Sequence, residues 1–184
     1  MKNGTIYFRD GDLIAKSREV RVYKMDEELF MESNRGNLIS ADQDLSEYIW
    51  QINNKPFGNC LVVGLGLGVA TRYILSLTNV DKVTVVEENK DVITAQAEVG
   101  YIDDNRLTVI NKKYLQFLYK TKEKYDFIFI DCYNKIDEDT FPMIADIAAA
   151  GKLVLTNEGI LIGWLDNSTP EIFIDAFYGL FTLN

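Results

Sequence analysis

The chain has 184 residues, which suits one domain, and its 47% hydrophobic content is enough for a packed core, excluding disorder as the dominant state. A net charge of -9 and a pI near 4.6 argue against a large nucleic-acid footprint and suit small cationic or neutral substrates better, although most acidic surfaces serve solubility alone. Histidine is absent, so Ser-His-Asp and Cys-His mechanisms are excluded, no metal site is expected, and acid–base chemistry falls to carboxylates, Tyr, Lys, Cys or a cofactor.

In chain order, the first ten residues lack a basic start followed by an apolar core, so no secretory leader is expected. Thr5 to Phe8 reads as a strand, Asp10-Gly11 as a hairpin turn, and Leu13 to Lys16 as the returning strand. Val20, Val22 and Lys24 alternate, Leu29 to Glu32 forms another short strand, and Asn34-Arg35-Gly36-Asn37 is a second turn. Residues 1–40 are therefore expected to form a small antiparallel β element, and residues 41–184 a nucleoside-binding domain. The open edges of such an element often pair across a two-fold axis, so a homodimer is expected.

Asp42 to Asn53 reads as a helix, with Leu45, Tyr48, Ile49 and Ile52 at helical spacing and Ser40 or Asp42 as its cap. A regular alternation follows. Cys60 to Val63, Lys82 to Val86, Leu107 to Ile110 and Tyr125 to Ile130 read as strands. Val69 to Leu77, Lys90 to Val99 and Tyr114 to Lys120 read as the intervening helices. Strands this apolar are usually buried on both faces, as in parallel sheets, and the alternation predicts a Rossmann-like doubly wound α/β fold. Phe141 to Leu155 is a further helix, punctuated near Gly151. Asn157-Glu158-Gly159 is a turn, Ile160 to Trp164 a fifth core strand, and Thr169-Pro170 opens a last helix toward Gly179. No run is long and apolar enough for a transmembrane helix, and no membrane partner is expected. The two cysteines, Cys60 and Cys132, lie in strand-like runs and imply no disulfide framework, so a reducing, cytoplasmic setting is expected.

The central signal is Gly64-Leu65-Gly66-Leu67-Gly68, placed between a strand and a helix. Glycines there let the backbone turn sharply and lie close to a ligand, and a helix N-terminus adds N–H donors. The pattern is G-x-G-x-G. The nicotinamide fingerprint has its last glycine one place later, where this chain has Val69, and the Gly-Lys-Ser/Thr ending of a P-loop is absent. About twenty residues on, the next strand ends in Glu87, at the spacing from which an acid accepts hydrogen bonds from both ribose hydroxyls. Its neighbour Glu88 is the alternative, and Glu87 is preferred. Asp131 ends the fourth core strand and should face the same cleft, where it could orient a cofactor's amino end or take a proton from an amine; a turn cap is its plainer role.

The segments Leu61 to Gly68, Val83 to Glu87 and Tyr125 to Asp131 resemble the class I S-adenosylmethionine-dependent methyltransferases, and in particular their spermidine synthase-like branch, over roughly residues 40–165. The resemblance implies the methyltransferase-type sheet with a shortened C-terminus. It also implies a transferase that uses S-adenosylmethionine or its decarboxylated form. Gly64, Leu65, Gly66, Gly68, Glu87, Tyr114 and Asp131 would hold the cofactor, and Asp131 would also be catalytic. Polyamine synthases continue Asp-x-x-Asp-Pro, whereas this chain has Asn134 and Lys135 at the last two positions. A cationic diamine would thus lose one carboxylate and meet a positive charge. Lys113 stands where the family places an acid that reads adenine, leaving Asn111, a backbone carbonyl or apolar groups for that task. Tyr114 either lines the pocket or is a core aromatic. Tyr48 is expected in the core, Glu47 in solvent, Asp137-Glu138-Asp139 at a helix N-terminus, and Cys132 as an inert buried thiol. Methyl transfer to a small-molecule acceptor leads these expectations. Aminopropyl transfer to an amine is the alternative, followed by a non-catalytic nucleoside-binding or assembly module; a nicotinamide oxidoreductase rests on fold analogy alone.

Overall fold

The computed structural model describes residues 12–34, 38–100 and 103–182. The strand expected at Thr5 to Phe8, the Asp10-Gly11 turn and most of the turn at Asn34 to Asn37 lie outside them. The chain begins with an antiparallel sheet in the order β1-β2-β3-β4: β1 (Asp12–Lys16), β2 (Val20–Met25), β3 (Glu28–Ser33) and β4 (Leu38–Ser40). Only β4 was absent from the sequence reading, because three residues are too few to display alternation; it pairs Phe30 with Ser40. Ser40 then caps α1 (Ala41–Ile52) by accepting the Gln43 N–H at 3.2 Å.

The rest is a five-stranded, wholly parallel sheet: β5 (Gly58–Val63), β6 (Val80–Glu87), β7 (Leu107–Asn111), β8 (Tyr125–Ile130) and β9 (Leu155–Gly163). Its order is β7-β6-β5-β8-β9. The chain builds outward from β5 to β7, then returns to lay β8 on the other side of β5. The strand ends of β5 and β8 therefore sit at the topological switch point, where open α/β sheets bind ligands. This is the Rossmann-like α/β architecture expected.

Strand periodicity divides the core. Cys60, Val62, Val83, Val85, Phe127 and Phe129 pack toward α2 (Val69–Ser76), α3 (Lys90–Val99) and the antiparallel sheet. Leu61, Val63, Val86, Ile128 and Ile130 pack on the other face, with α4 (Tyr114–Lys120), α5 (Phe141–Leu153) and α6 (Glu171–Phe181). Burial on both faces is why these runs are continuously apolar. The antiparallel sheet is tied to α3: the Lys16 N–H donates to Glu98 at 3.0 Å and the Arg18 N–H to Asp91 at 3.3 Å.

Three local expectations change. Asn157-Glu158-Gly159 does not end a helix and open a strand; β9 already starts at Leu155, and the three residues form an irregularity between the pairs Tyr125–Leu155 and Phe127–Ile160. Gly151 does not punctuate α5 but lies buried inside it, where an added Cβ would stand 3.3 Å from Leu161, so the helix sits close to the sheet. The apolar stripe of α1 splits, with Tyr48 and Ile52 buried while Leu45 and Ile49 face outward beside Trp50, which is 71% exposed. Trp50 borders a shallow cavity of about 210 Å³ that runs along β9, the outer strand of the sheet, to Phe177, Tyr178 and Phe181 of α6.

One backbone position carries the switch point. Gly64 has φ +104°, and a Cβ there would lie 1.9 Å from the Asp131 carbonyl oxygen. Gly64→Ala should therefore lower unfolding stability by roughly 3 kcal/mol. Gly100→Ala, also at positive φ (+78°) but with nothing within 4 Å, should cost only about 1 kcal/mol. Urea midpoints of the two variants check this; equal losses would mean that the contact with Asp131 is not the constraint.

Candidate functional site

Beyond β5 the chain turns through Gly64, Gly66 and Gly68, all at positive φ (+104°, +50° and +76°), a conformation that side chains rarely adopt. Gly64 donates its N–H to Val86 at 2.9 Å, which fixes the loop to the neighbouring strand. An added Cβ at Gly66 would meet only a methyl of Ile39, at 3.9 Å, so the space above the loop is open. Leu65 and Leu67 turn inward and are buried, and α2 starts at Val69 without a side-chain cap. This cradle fits a ligand laid against backbone.

Glu87, at the end of β6, is buried and binds the loop directly. One carboxylate oxygen accepts the Leu65 N–H at 2.9 Å; the other accepts the Asn89 N–H at 2.7 Å and faces the Tyr114 hydroxyl at 3.4 Å. Burial raises its pKa, opposed by these donors. Glu88 is exposed at the cleft edge. Asn111, weighed as an adenine reader, spends its amide on the Glu87 and Glu88 carbonyls at 2.8 and 3.1 Å. Lys113 and Tyr114 both line the cleft, and Tyr114 is half-buried.

Asp131 follows β8 directly; its N–H bonds the Val63 carbonyl at 2.8 Å, which locks it beside Gly64. Its carboxylate accepts the Tyr48 hydroxyl at 2.5 Å, so Tyr48 is both a core ring, edge-on to Phe129, and a site group. Glu47, expected in solvent, is instead buried. It accepts from the indole N–H of Trp164 at 2.8 Å, from Asn167 at 3.1 Å and from Gln43 at 3.3 Å. Asp44, one turn before Tyr48, completes an acidic end to the cleft. Burial is the main cause that lifts both Asp44, to about 8, and Asp131, to about 7. The repulsion of neighbouring carboxylates adds to the lift, and the Tyr48 hydroxyl works against it. Asp44, Trp164 and Asn167 escaped the sequence reading. The signal for Asp44 was present, since Asp44, Glu47, Tyr48 and Gln51 fall at i, i+3, i+4 and i+7 and form one polar stripe along α1.

The positive charge expected at Lys135 is paired with Asp137. That pairing, with the Thr140 N–H, holds the Asp137 carboxyl down to about 2. None of Asp137, Glu138 and Asp139 stands in the first turn of α5. Asp137 instead builds the turn before it, accepting from Asp139 and Thr140. Cys132 lines the cleft, and burial together with Asp131 holds its thiol protonated.

These groups surround one cavity of about 900 Å³, roofed by Met31 and Ile39 of the antiparallel sheet and floored by the ends of β5, β6 and β8. Its cations, Arg18, Lys90 and Lys113, come from the antiparallel sheet and from the starts of α3 and α4. Among the described residues, the charges acting on Asp44 and Asp131 are those of carboxylates. Among the described residues, no cluster of ligating side chains could hold a metal ion, and no helix is long and apolar enough to cross a membrane.

Residues 51–163 match the model of the spermine/spermidine synthase domain. Over 96 residues the chain is 31% identical to a polyamine aminopropyltransferase of Saccharolobus islandicus, a stretch that covers 49% of this chain and 32% of that protein. The chain thus spans about a third of the length of that curated relative. The fold superposes on spermidine synthase from Thermotoga maritima with a TM-score of 0.63 at 15% identity, over 93% of this chain and 60% of the other. A spermidine synthase in complex with the transition state analogue AdoDATO gives a TM-score of 0.59 at 17% identity, over 86% and 57% of the two chains.

The two raised carboxyls tie stability to pH. An aspartate in the unfolded chain titrates near 3.9, below the folded values of about 7 and 8, so the folded chain holds protons that the unfolded chain has released. The resulting stabilisation is complete below about pH 4 and is lost as pH rises through 7 and 8. After solvent screening it should amount to on the order of 2 kcal/mol. Urea midpoints at pH 5.5 and 8.5 should fall in that order for the parent chain and converge for Asp44→Asn combined with Asp131→Asn. A parent chain equally stable at both pH values would refute this.

Proposed function

The chain belongs to the spermine/spermidine synthase family, and from that premise we propose that its cleft binds decarboxylated S-adenosylmethionine and transfers the aminopropyl group to an amine. The comparisons thus favour the second of the two transfers expected from sequence over methyl transfer. When bound, the sulfonium compound supplies an electrophilic carbon beside sulfur, and the protein has to hold it, align an acceptor and exclude water.

The observation that carries the choice is the sign of charge around Asp131. Among the described residues, the charges that act on it are those of Glu47 and Glu87, and the charges that act on Asp44 are those of Asp131 and Glu47. A cofactor that retained its carboxylate would place a negative charge against this acidic end. The decarboxylated form places only an ammonium there, and an acceptor amine arrives with the same sign.

In this reading Gly64, Leu65, Gly66 and Gly68 shape the cofactor cradle. Glu87 turns its carboxylate from the Leu65 and Asn89 amides to the ribose hydroxyls, and Tyr114 bounds the base-side wall. Asp131, oriented by Tyr48, accepts the proton that an ammonium acceptor must lose before its nitrogen can attack. The loss of a second loop carboxylate at Asn134 is offset by acids supplied from α1, and Lys135 is occupied by Asp137. The fit of sugar and loop rests on Glu87, the recognition of amines on the acidic end.

Calorimetric titration with the decarboxylated compound, S-adenosylmethionine and S-adenosylhomocysteine tests the reading, followed by transfer to a panel of diamines. The decarboxylated form should bind at least about tenfold more tightly than S-adenosylmethionine. Glu87→Ala should weaken binding roughly 10- to 100-fold, the worth of hydrogen bonds to a charged group. Tighter binding of the carboxylated compounds would restore methyl transfer, and tight binding without consumption by any amine would leave a non-catalytic nucleoside-binding module.

A further inference from the structure

We propose that Asp44 is a positioning residue for this transfer, receiving through the Tyr48 hydroxyl the proton that the acceptor amine surrenders to Asp131. The inference rests on the aminopropyl-transfer reading and deepens it.

Asp44 and Tyr48 are four residues apart on α1 and so share a face, and both line the cavity that Asp131 enters from β8. The Tyr48 hydroxyl donates to Asp131 Oδ2 at 2.5 Å, and one turn away it also holds the Asp44 pKa below what burial alone would give. One phenol, with a single proton to give, thus bonds one carboxylate and acts on another.

The other acids nearby are already engaged. Glu47 accepts from Trp164, Asn167 and Gln43. Glu87 accepts from Leu65 and Asn89. Glu19, Glu88, Asp91 and Asp166 also line the cavity, as do the cations Arg18, Lys90 and Lys113. The charges acting on Asp44 are those of Asp131 and Glu47. Among the described residues, Asp44 is therefore the acid on the Tyr48 face of α1 that no loop or strand donor engages.

The transfer balances. An N–H bond of the acceptor ammonium breaks, its proton passes to the Asp131 carboxylate, and the electron pair stays on nitrogen. The neutral nitrogen then forms its bond to the aminopropyl carbon as the carbon–sulfur bond breaks and leaves its pair on sulfur. Asp131 returns a proton to the Tyr48 oxygen while the Tyr48 proton moves to the Asp44 carboxylate. Asp131 and Tyr48 are restored, and Asp44 releases the proton to water in the cavity.

The pH profile of kcat/KM for transfer to a diamine tests this. The parent chain should lose activity toward acid with the steepness of two ionisations. Asp44→Asn should lower kcat at least about tenfold and leave a one-proton limb. Tyr48→Phe should do the same, and the double variant should be no slower than Tyr48→Phe alone, because both break one path. Where Asp44→Asn does not fold, Tyr48→Phe bears the same expectation. An Asp44→Asn variant within twofold of the parent, or one that keeps the two-proton limb, overturns the proposal. A parent chain that transfers to no amine sinks the aminopropyl reading instead. Carbon-detected NMR titration of the carboxyls then decides the relay alone. The Asp44 titration must move when Tyr48 becomes Phe, and an unmoved one overturns the link.

Discussion

Two strand ends meet here without a side chain between them, and the rest of the site is arranged around that contact. Gly64 lies against the Asp131 carbonyl, and the Asp131 N–H in turn bonds the Val63 carbonyl. This backbone clasp joins the last residue of one half of the sheet to the first residue after the other half. It places the glycine loop and the Asp131 carboxylate on opposite lips of a single opening. Neither feature has to be positioned by long flexible side chains, so the cleft inherits the rigidity of the parallel sheet.

Around that clasp the protein concentrates negative charge where desolvation opposes it. Glu87 and Glu47 are each stabilised by several donors, which makes them parts of the scaffold. Asp131 accepts from the Tyr48 phenol, Asp44 lies one turn before it, and both have raised pKa values, so they are the carboxyls whose protonation responds to what enters. A cation in the cleft would supply what the fold withholds, and its arrival would favour the ionised forms. The same imbalance that costs the empty protein stability thus favours an ammonium guest over a neutral or anionic one.

Most of the fold was legible because its strands are short, apolar on both faces and separated by helices of regular length. The helices Lys90–Val99 and Tyr114–Lys120 and the strand Tyr125–Ile130 match the sequence reading residue for residue. The failures share a cause. Asn157, Glu158 and Gly159 carry the chemistry of a turn, yet the pairing of β9 with β8 on either side absorbs them as a distortion. Gly151 looked like a helix breaker, but the approach of α5 to Leu161 uses its missing Cβ. At the site, loop and acids were legible because they follow strands at set intervals. Glu47, Trp164 and Asn167 were not, because α1 and the segment after β9 meet only in the folded chain; the Glu47–Trp164 bond spans 117 positions. A charged residue on a helix is usually solvated, and nothing local marks the one that will be covered.

The outer strand β9 has another consequence, colloidal in kind. Trp50 on one side and Tyr178 on the other leave an apolar border along the outermost strand of the sheet among the described residues. At neutral pH a common charge of -9 opposes the approach of two copies along this border. Near pH 4.6 that repulsion vanishes while the border remains. Precipitation there would begin as sheet edges meeting, with the cleft on its own face left clear.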